Sequence, residues 1–157
     1  MTTLTTPPME STPPTEETPR HTYQLLTKRP RRAARMAAEL PWPSNVWLGV
    51  SVETTDQLWR IDDLRRVPAA TRFVSAEPLL GSLACLDLTG MHWLIAGGES
   101  GANHRPLDPT WVRELRDSCR EQGVAFFFKQ WGGRTPKSNG RELDGQLWDE
   151  MPVPTQA

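Results

Sequence analysis

Residues able to do chemistry recur in this sequence directly after short apolar runs: Lys28 and Arg29, Ser51 and Glu53, Ser75 and Glu77, Glu99 and Ser100, and Lys129 and Gln130. Lys28 and Arg29 are cations suited to a carboxylate or a phosphate. Ser51 and Glu53 stand two apart, as do Ser75 and Glu77, so on an extended strand each pair faces one side. A carboxylate held at such a place can take an ammonium, a ribose hydroxyl or a substrate proton. Glu99 lies in the run Gly97, Gly98, Glu99, Ser100, Gly101, where missing side chains let a ligand approach the backbone. The run fits neither the dinucleotide-binding nor the P-loop spacing. Lys129 and Gln130, followed by Trp131, offer a cation, an amide and an aromatic face to a polar planar ligand. His21, His92 and His104 have no metal-binding spacing, and no metal site is expected.

Each of these residues also has a structural alternative. Glu53 would cap a following helix, Glu77 would pair with Arg29 or Arg72, and Lys129 would pair with Glu99. Arg31, Arg32 and Arg35 extend the basic run that Lys28 and Arg29 begin. Such a run is as readily a solvated helix face as a phosphate-contacting patch for nucleic acid, and no aromatic residues are interleaved with it.

The elements that must position these groups follow a βαβα grammar. A strand over Thr22 to Thr27 leads to a helix from Arg31 to Leu40, with Pro30 suited to its start. A second strand, Asn45 to Glu53, leads to a helix from Thr55 to Arg66 with Leu58, Ile61 and Leu64 on one face. The third strand, Thr71 to Glu77, is closed by Pro78 and continues into a connection carrying Leu83, Leu86 and Leu88. The fourth, Trp93 to Ala96, precedes a helix from Thr110 to Gln122 that Pro109 would start and Gly123 would cap. The fifth is Val124 to Lys129. Near-continuous apolar strands are expected to be buried on both faces of a parallel sheet. The expectation is an α/β fold, a partial (β/α) barrel of about five parallel strands with helices outside. Its polar residues gather at the carboxyl ends of the strands, where such folds bind ligands.

The barrel is assigned to residues 21–133. Residues 1–20, rich in Thr, Pro and Glu, are expected to be a disordered tail. Residues 134–157 are expected to be an irregular tail laid back on the body, anchored by Leu143, Leu147 and Trp148. Over the 157 residues the formal net charge is −1 and the sequence pI about 6.3, so no overall field pulls the chain toward nucleic acid or an anionic membrane. No apolar run approaches the length of a membrane span and no secretory leader is legible, so the expected location is cytoplasmic. The two cysteines, Cys85 and Cys119, are too few for a disulfide framework or a zinc site and are expected to be buried thiols.

Taken in order, LLTKRP (Leu25 to Pro30), NVWLGVSVE (Asn45 to Glu53), FVSAEPLLG (Phe73 to Gly81), WLIAGGESG (Trp93 to Gly101), FFFKQWGG (Phe126 to Gly133) and the closing stretch from Gly133 to Pro152 resemble a phage-associated, radical-S-adenosylmethionine-like family that carries a three-cysteine motif. The resemblance implies a barrel that holds S-adenosylmethionine beside a four-iron, four-sulfur cluster bound by three thiolates. It assigns cofactor or substrate contacts to the strand-end residues. The three-cysteine loop is absent from this sequence, so by itself the chain is expected to bind no cluster and to be inactive. The resemblance therefore implies the C-terminal portion of such a barrel, completed by a cluster-bearing polypeptide. The alternatives are a non-catalytic remnant that self-associates or binds a partner through an exposed barrel edge, and a small nucleic-acid-binding accessory protein.

Overall fold

The structure, a computed structural model, describes Thr18 and residues 20–153; the expected N-terminal tail lies almost wholly outside the described residues. One sheet holds five strands in the order of the chain: β1 (Tyr23–Thr27), β2 (Val46–Ser51), β3 (Thr71–Ala76), β4 (Trp93–Gly97) and β5 (Ala125–Gln130). Every pairing within it is parallel. The α/β class is as expected, and the strands form an open row with β1 and β5 at its ends.

The connections carry α1 (Pro30–Met36), α2 (Trp59–Arg65) and α3 (Pro109–Gln122), while the leucine-rich link between β3 and β4 has no helix. Neighbours in the sheet are neighbours in the chain, so right-handed crossovers place every connection on the same face. That face holds the main core, where Val50, Val74, Ala76, Leu94, Phe126 and Phe128 meet Ile61, Leu64, Val112 and Leu115.

Local chemistry sets the helix ends. α1 stops at Met36, short of the expected Leu40, because Pro41 cannot continue it and the Trp42 indole N–H donates to the Ala37 carbonyl at 2.9 Å. The helix expected over Thr55 to Arg66 is split into a 3-10 turn at Thr55–Gln57 and α2. The Gln57 side chain folds back to accept from the Glu53 and Thr54 N–H groups at 2.7 and 3.3 Å, which tightens that first turn. α3 behaves as its sequence indicates: Asp108 accepts from the Thr110 N–H at 2.8 Å, Pro109 opens the first turn, and Gly123 ends the helix at φ 68°.

The opposite face of the sheet carries a second cluster, Trp47, Phe73 and Trp93 with Ile95, Ala125 and Phe127. Trp47 and Phe127 meet Trp93 edge-on at 6.0 and 5.9 Å between ring centroids, a favoured aromatic geometry. The Phe73 ring lies across Gly49, where any Cβ would fall within the ring, so this β2 position must be bare.

The C-terminal segment is ordered against β5. A hairpin of β6 (Glu142–Leu143) and β7 (Gln146–Leu147) turns through Asp144 and Gly145, both at positive φ. The chain then runs beside β5, with Trp148 accepting from the Phe128 N–H and the Trp93 indole donating to the Glu150 carbonyl, each at 2.9 Å. Leu143 is buried as expected, but Leu147 is 50% exposed. In the hairpin Leu147 opposes Glu142 and Leu143 opposes Gln146, so the two leucines face opposite ways and only Leu143 reaches the core. Cys85 also departs from expectation. It is exposed, because Leu83 and Leu86 take the inward positions of its connection.

At the other end of the row β1 pairs only with β2 among the described residues, and Leu25 and Leu26 are 49% and 53% exposed. Among the described residues no helix is long and apolar enough to cross a membrane.

Candidate functional site

Alternation along the strands lifts a polar layer above the aromatic cluster, at the carboxyl ends of the sheet. Ser51 pairs in register with Ser75, both buried, and the chain then carries Glu53 and Glu77 beyond them. The link after β3 fixes both positions: the Leu80 N–H donates to the Glu53 carbonyl at 3.0 Å and the Leu79 N–H to the Gly97 carbonyl at 2.9 Å. The Glu77–Pro78 peptide bond within it is cis.

One half of the layer is closed. The Glu53 side chain is 7% exposed and takes Lys28 Nζ at 2.5 Å on one oxygen and Arg60 Nη1 at 3.1 Å on the other. Arg60 also donates to the Ser51 carbonyl at 2.6 Å. Burial, the largest single influence, pushes the Glu53 carboxyl up. The hydrogen bond and charge of Lys28, a backbone hydrogen bond and the Arg60 charge together outweigh it and hold the group below its ordinary value. The Glu53 carboxylate therefore serves this ion pair, and the cap of the turn that follows is Thr54. Arg29 stands apart: its N–H donates to Thr27 Oγ1 at 2.9 Å, and its guanidinium has no partner among the described residues.

The other half is open. Glu77 accepts from Ser75 Oγ at 3.2 Å and pairs with Lys129 Nζ at 3.3 Å, so its partner is neither Arg29 nor Arg72. Its carboxylate lies over Gly97, where a Cβ would come within 2.6 Å of Oε1. Glu99 is held by Arg105 through a backbone N–H at 2.9 Å and two guanidinium bonds at 2.8 Å. These bonds lower its carboxyl to about 2, so the alternative pairing of Lys129 with Glu99 is not made. Gln130 donates to Ser100 Oγ at 3.0 Å. Glu77, Glu99, Ser100, Lys129 and Gln130 line a cavity of about 450 Å³ together with Pro78, Gly98 and Pro136. Its walls thus offer carboxylate, ammonium, amide and hydroxyl groups.

Sequence reasoning missed Arg60 and Arg105, the guanidinium partners of Glu53 and Glu99. Nothing in their local sequence separates them from other helix or loop arginines. It also missed Lys137 and Arg141, which line a neighbouring cavity with Lys129. Those two did carry a signal, for Lys129 to Arg141 holds four cations and no acidic residue.

The residues present do not fit an iron–sulfur cluster. Burial, aided by the Glu150 charge, pushes the Cys119 thiol up to about 12, while Cys85 sits exposed on the β3–β4 link. Among the described residues no group of three or more His, Cys, Asp or Glu is placed to hold a metal ion.

A parallel row wound in one direction, with its polar groups beyond the strand ends and a cavity among them, defines an α/β protein. Residues 12–152 match the family described as DUF5131, protein of unknown function, and the chain belongs to that family. No curated protein and no solved structure matches it.

Proposed function

We propose that this chain is the ligand-contacting part of a radical-S-adenosylmethionine-like assembly, binding cofactor and substrate at the open half of its strand-end face. The cluster ligands would come from a separate, cluster-bearing polypeptide or segment. The observation that carries the reading is the Glu77–Lys129 pair beside a cavity of about 450 Å³. The methionyl end of S-adenosylmethionine presents an ammonium and a carboxylate, complements to Glu77 and Lys129. Its ribose and adenine present hydroxyls and ring nitrogens that Ser100 and Gln130 can bond. In this reading the chain binds and orients; radical chemistry belongs to the cluster and is not assigned to residues here.

The cluster-bearing part would pair with the outer edge of β1, whose backbone groups face no strand among the described residues and whose Leu25 and Leu26 are exposed. Self-association through that edge would identify the chain as a partner-binding remnant. A second reading, nucleic-acid binding, rests on Arg29, Arg32 and Arg35, exposed at α1 without a carboxylate partner among the described residues. It requires affinity that falls steeply with salt.

Calorimetric titration of the full chain with S-adenosylmethionine tests the cofactor reading, with methionine and adenosine as fragments. The expected result is binding that K129A weakens by about tenfold, the loss of one charge-assisted contact. No binding at millimolar ligand would end the proposal.

A further inference from the structure

The helix layer carries a surface that the cofactor reading leaves unused. Between α1 and the C-terminal end of α2, Arg31, Ala34, Arg35, Asp63 and Arg66 line a groove of about 250 Å³. It shares no residue with the cavity beside Glu77.

Charge on this surface is one-sided. Asp63, nearly buried, accepts from Arg31 Nε at 3.2 Å and from Arg66 Nη1 at 3.4 Å. Arg35, in the same wall, has no carboxylate partner among the described residues, and neither have Arg29 and Arg32 beside it on α1. Five guanidiniums thus share one carboxylate. Arg29, Arg32 and Arg35 recur every three residues, so they follow one side of the helix over about 9 Å of its axis. A single carboxylate or phosphate reaches only part of such a row. A chain of anions reaches all of it.

An aromatic ring narrows the choice among polyanions. The sequence interleaves no aromatic residue with the basic run, but the fold brings Trp59 to it as the first residue of α2. Trp59 is 41% exposed, with the Arg31 guanidinium 5.0 Å and the Arg60 guanidinium 5.8 Å from its ring centre. Arg31 therefore joins the ring to the groove. A nucleobase can stack on such a ring, whereas a sulfated sugar or a run of carboxylates has no flat face to match it. Inside a duplex the base faces are stacked on one another, so only a single strand offers one freely.

We infer that α1 and α2 together form a binding surface for single-stranded nucleic acid, with Trp59 as its stacking platform and Arg32, Arg35 and Arg66 as its principal phosphate contacts. The inference rests on the nucleic-acid reading above and adds to it the strand state and the ring. It is independent of S-adenosylmethionine binding beside Glu77.

Fluorescence anisotropy of the full chain with labelled DNA tests it. The probes are a single strand of about twelve nucleotides, a strand of the same length without bases, and the corresponding duplex. The single strand should bind most tightly, with affinity that falls steeply between about 50 and 200 mM salt. W59A should weaken the single strand about tenfold, within the range for a base stacked on an aromatic side chain, and leave the abasic strand and the duplex unchanged. W59F should restore most of that loss. R32A should lower the salt slope by about 0.7, the share of one phosphate contact on a single strand, and R120A, at an exposed position on α3, should change nothing. Undiminished single-strand affinity in W59A, or an abasic strand or duplex bound as tightly as the intact single strand, would overturn the inference. Salt-dependent binding that R32A weakens would then leave the broader nucleic-acid reading standing, whereas no binding of any strand at about 50 mM salt would end both.

Discussion

The two halves of the strand-end layer use the same chemistry to different ends. Glu53 is 7% exposed and gripped on both oxygens, by Lys28 and Arg60, whereas Glu77 is 19% exposed, has one cationic partner and faces a cavity. A carboxylate whose lone pairs are already taken by buried or converging cations has little left for a ligand. One that keeps a free side in a cavity is ready for exchange. A charged residue at a strand end is thus a candidate only until its partners are known, and Glu77, not Glu53, keeps the capacity to bind.

The comparison predicts opposite responses to mutation, largest first in stability. R60A removes one of the two cations on a nearly buried carboxylate, and urea unfolding should show a loss of about 2–3 kcal/mol, below the full cost of stripping a buried pair because Lys28 remains. E77Q should cost less than about 1 kcal/mol in the same experiment, as expected for a partly exposed pair. Equal losses would erase the distinction between the halves.

The closed half should also lose its hold in acid. The Glu53 carboxyl is lower in the folded chain than its ordinary value of 4.5, so the unfolded chain takes up that proton first as the pH falls. Its stabilisation is fully present above the ordinary value and is lost as the pH falls through the folded value. E53Q should flatten that part of the stability profile, as followed by chemical denaturation across pH 3 to 7. A profile that E53Q leaves unchanged would contradict the assignment.

G97A sharpens the comparison within the open half. A Cβ there meets the end of the Glu77 side chain at 2.6 Å, and a carboxylate can swing away at little cost. Stability should change by less than about 1 kcal/mol while affinity for the ligand beside Glu77 falls. The smallest effect concerns the thiols: Cys85 should react with an alkylating reagent in the native chain, while Cys119, buried and pushed up to about 12, should react only on unfolding. Alkylation of both at one rate would contradict the packing of α3.

Much of the fold was legible because its signals are local. Pro109 and Gly123 bound a helix by their own backbone chemistry, and the apolar runs of β4 and β5 declare burial on both faces. The strand-end residues were also legible, since parallel α/β folds collect polar groups there. Their division was not, because it depends on which cation reaches which carboxylate: Lys28 and Lys129 come to Glu53 and Glu77 from other strand ends, while Arg60 and Arg105, though near in sequence, are aimed at Glu53 and Glu99 only by the path of the folded chain. Cys85 and Leu147 were misplaced for a related reason. In a short link and a two-residue strand, neighbours such as Leu83 and Leu143 decide which side chain turns inward, and no period is long enough to show it.

The most direct test of the account is the dissociation constant of S-adenosylmethionine for the wild-type chain, E77Q and E53Q, measured by calorimetry under conditions where all three are folded. The account predicts a loss of about tenfold or more in E77Q, the value of a charge-assisted hydrogen bond, and a change of less than about twofold in E53Q. Undiminished affinity in E77Q, or the larger loss in E53Q, would contradict it.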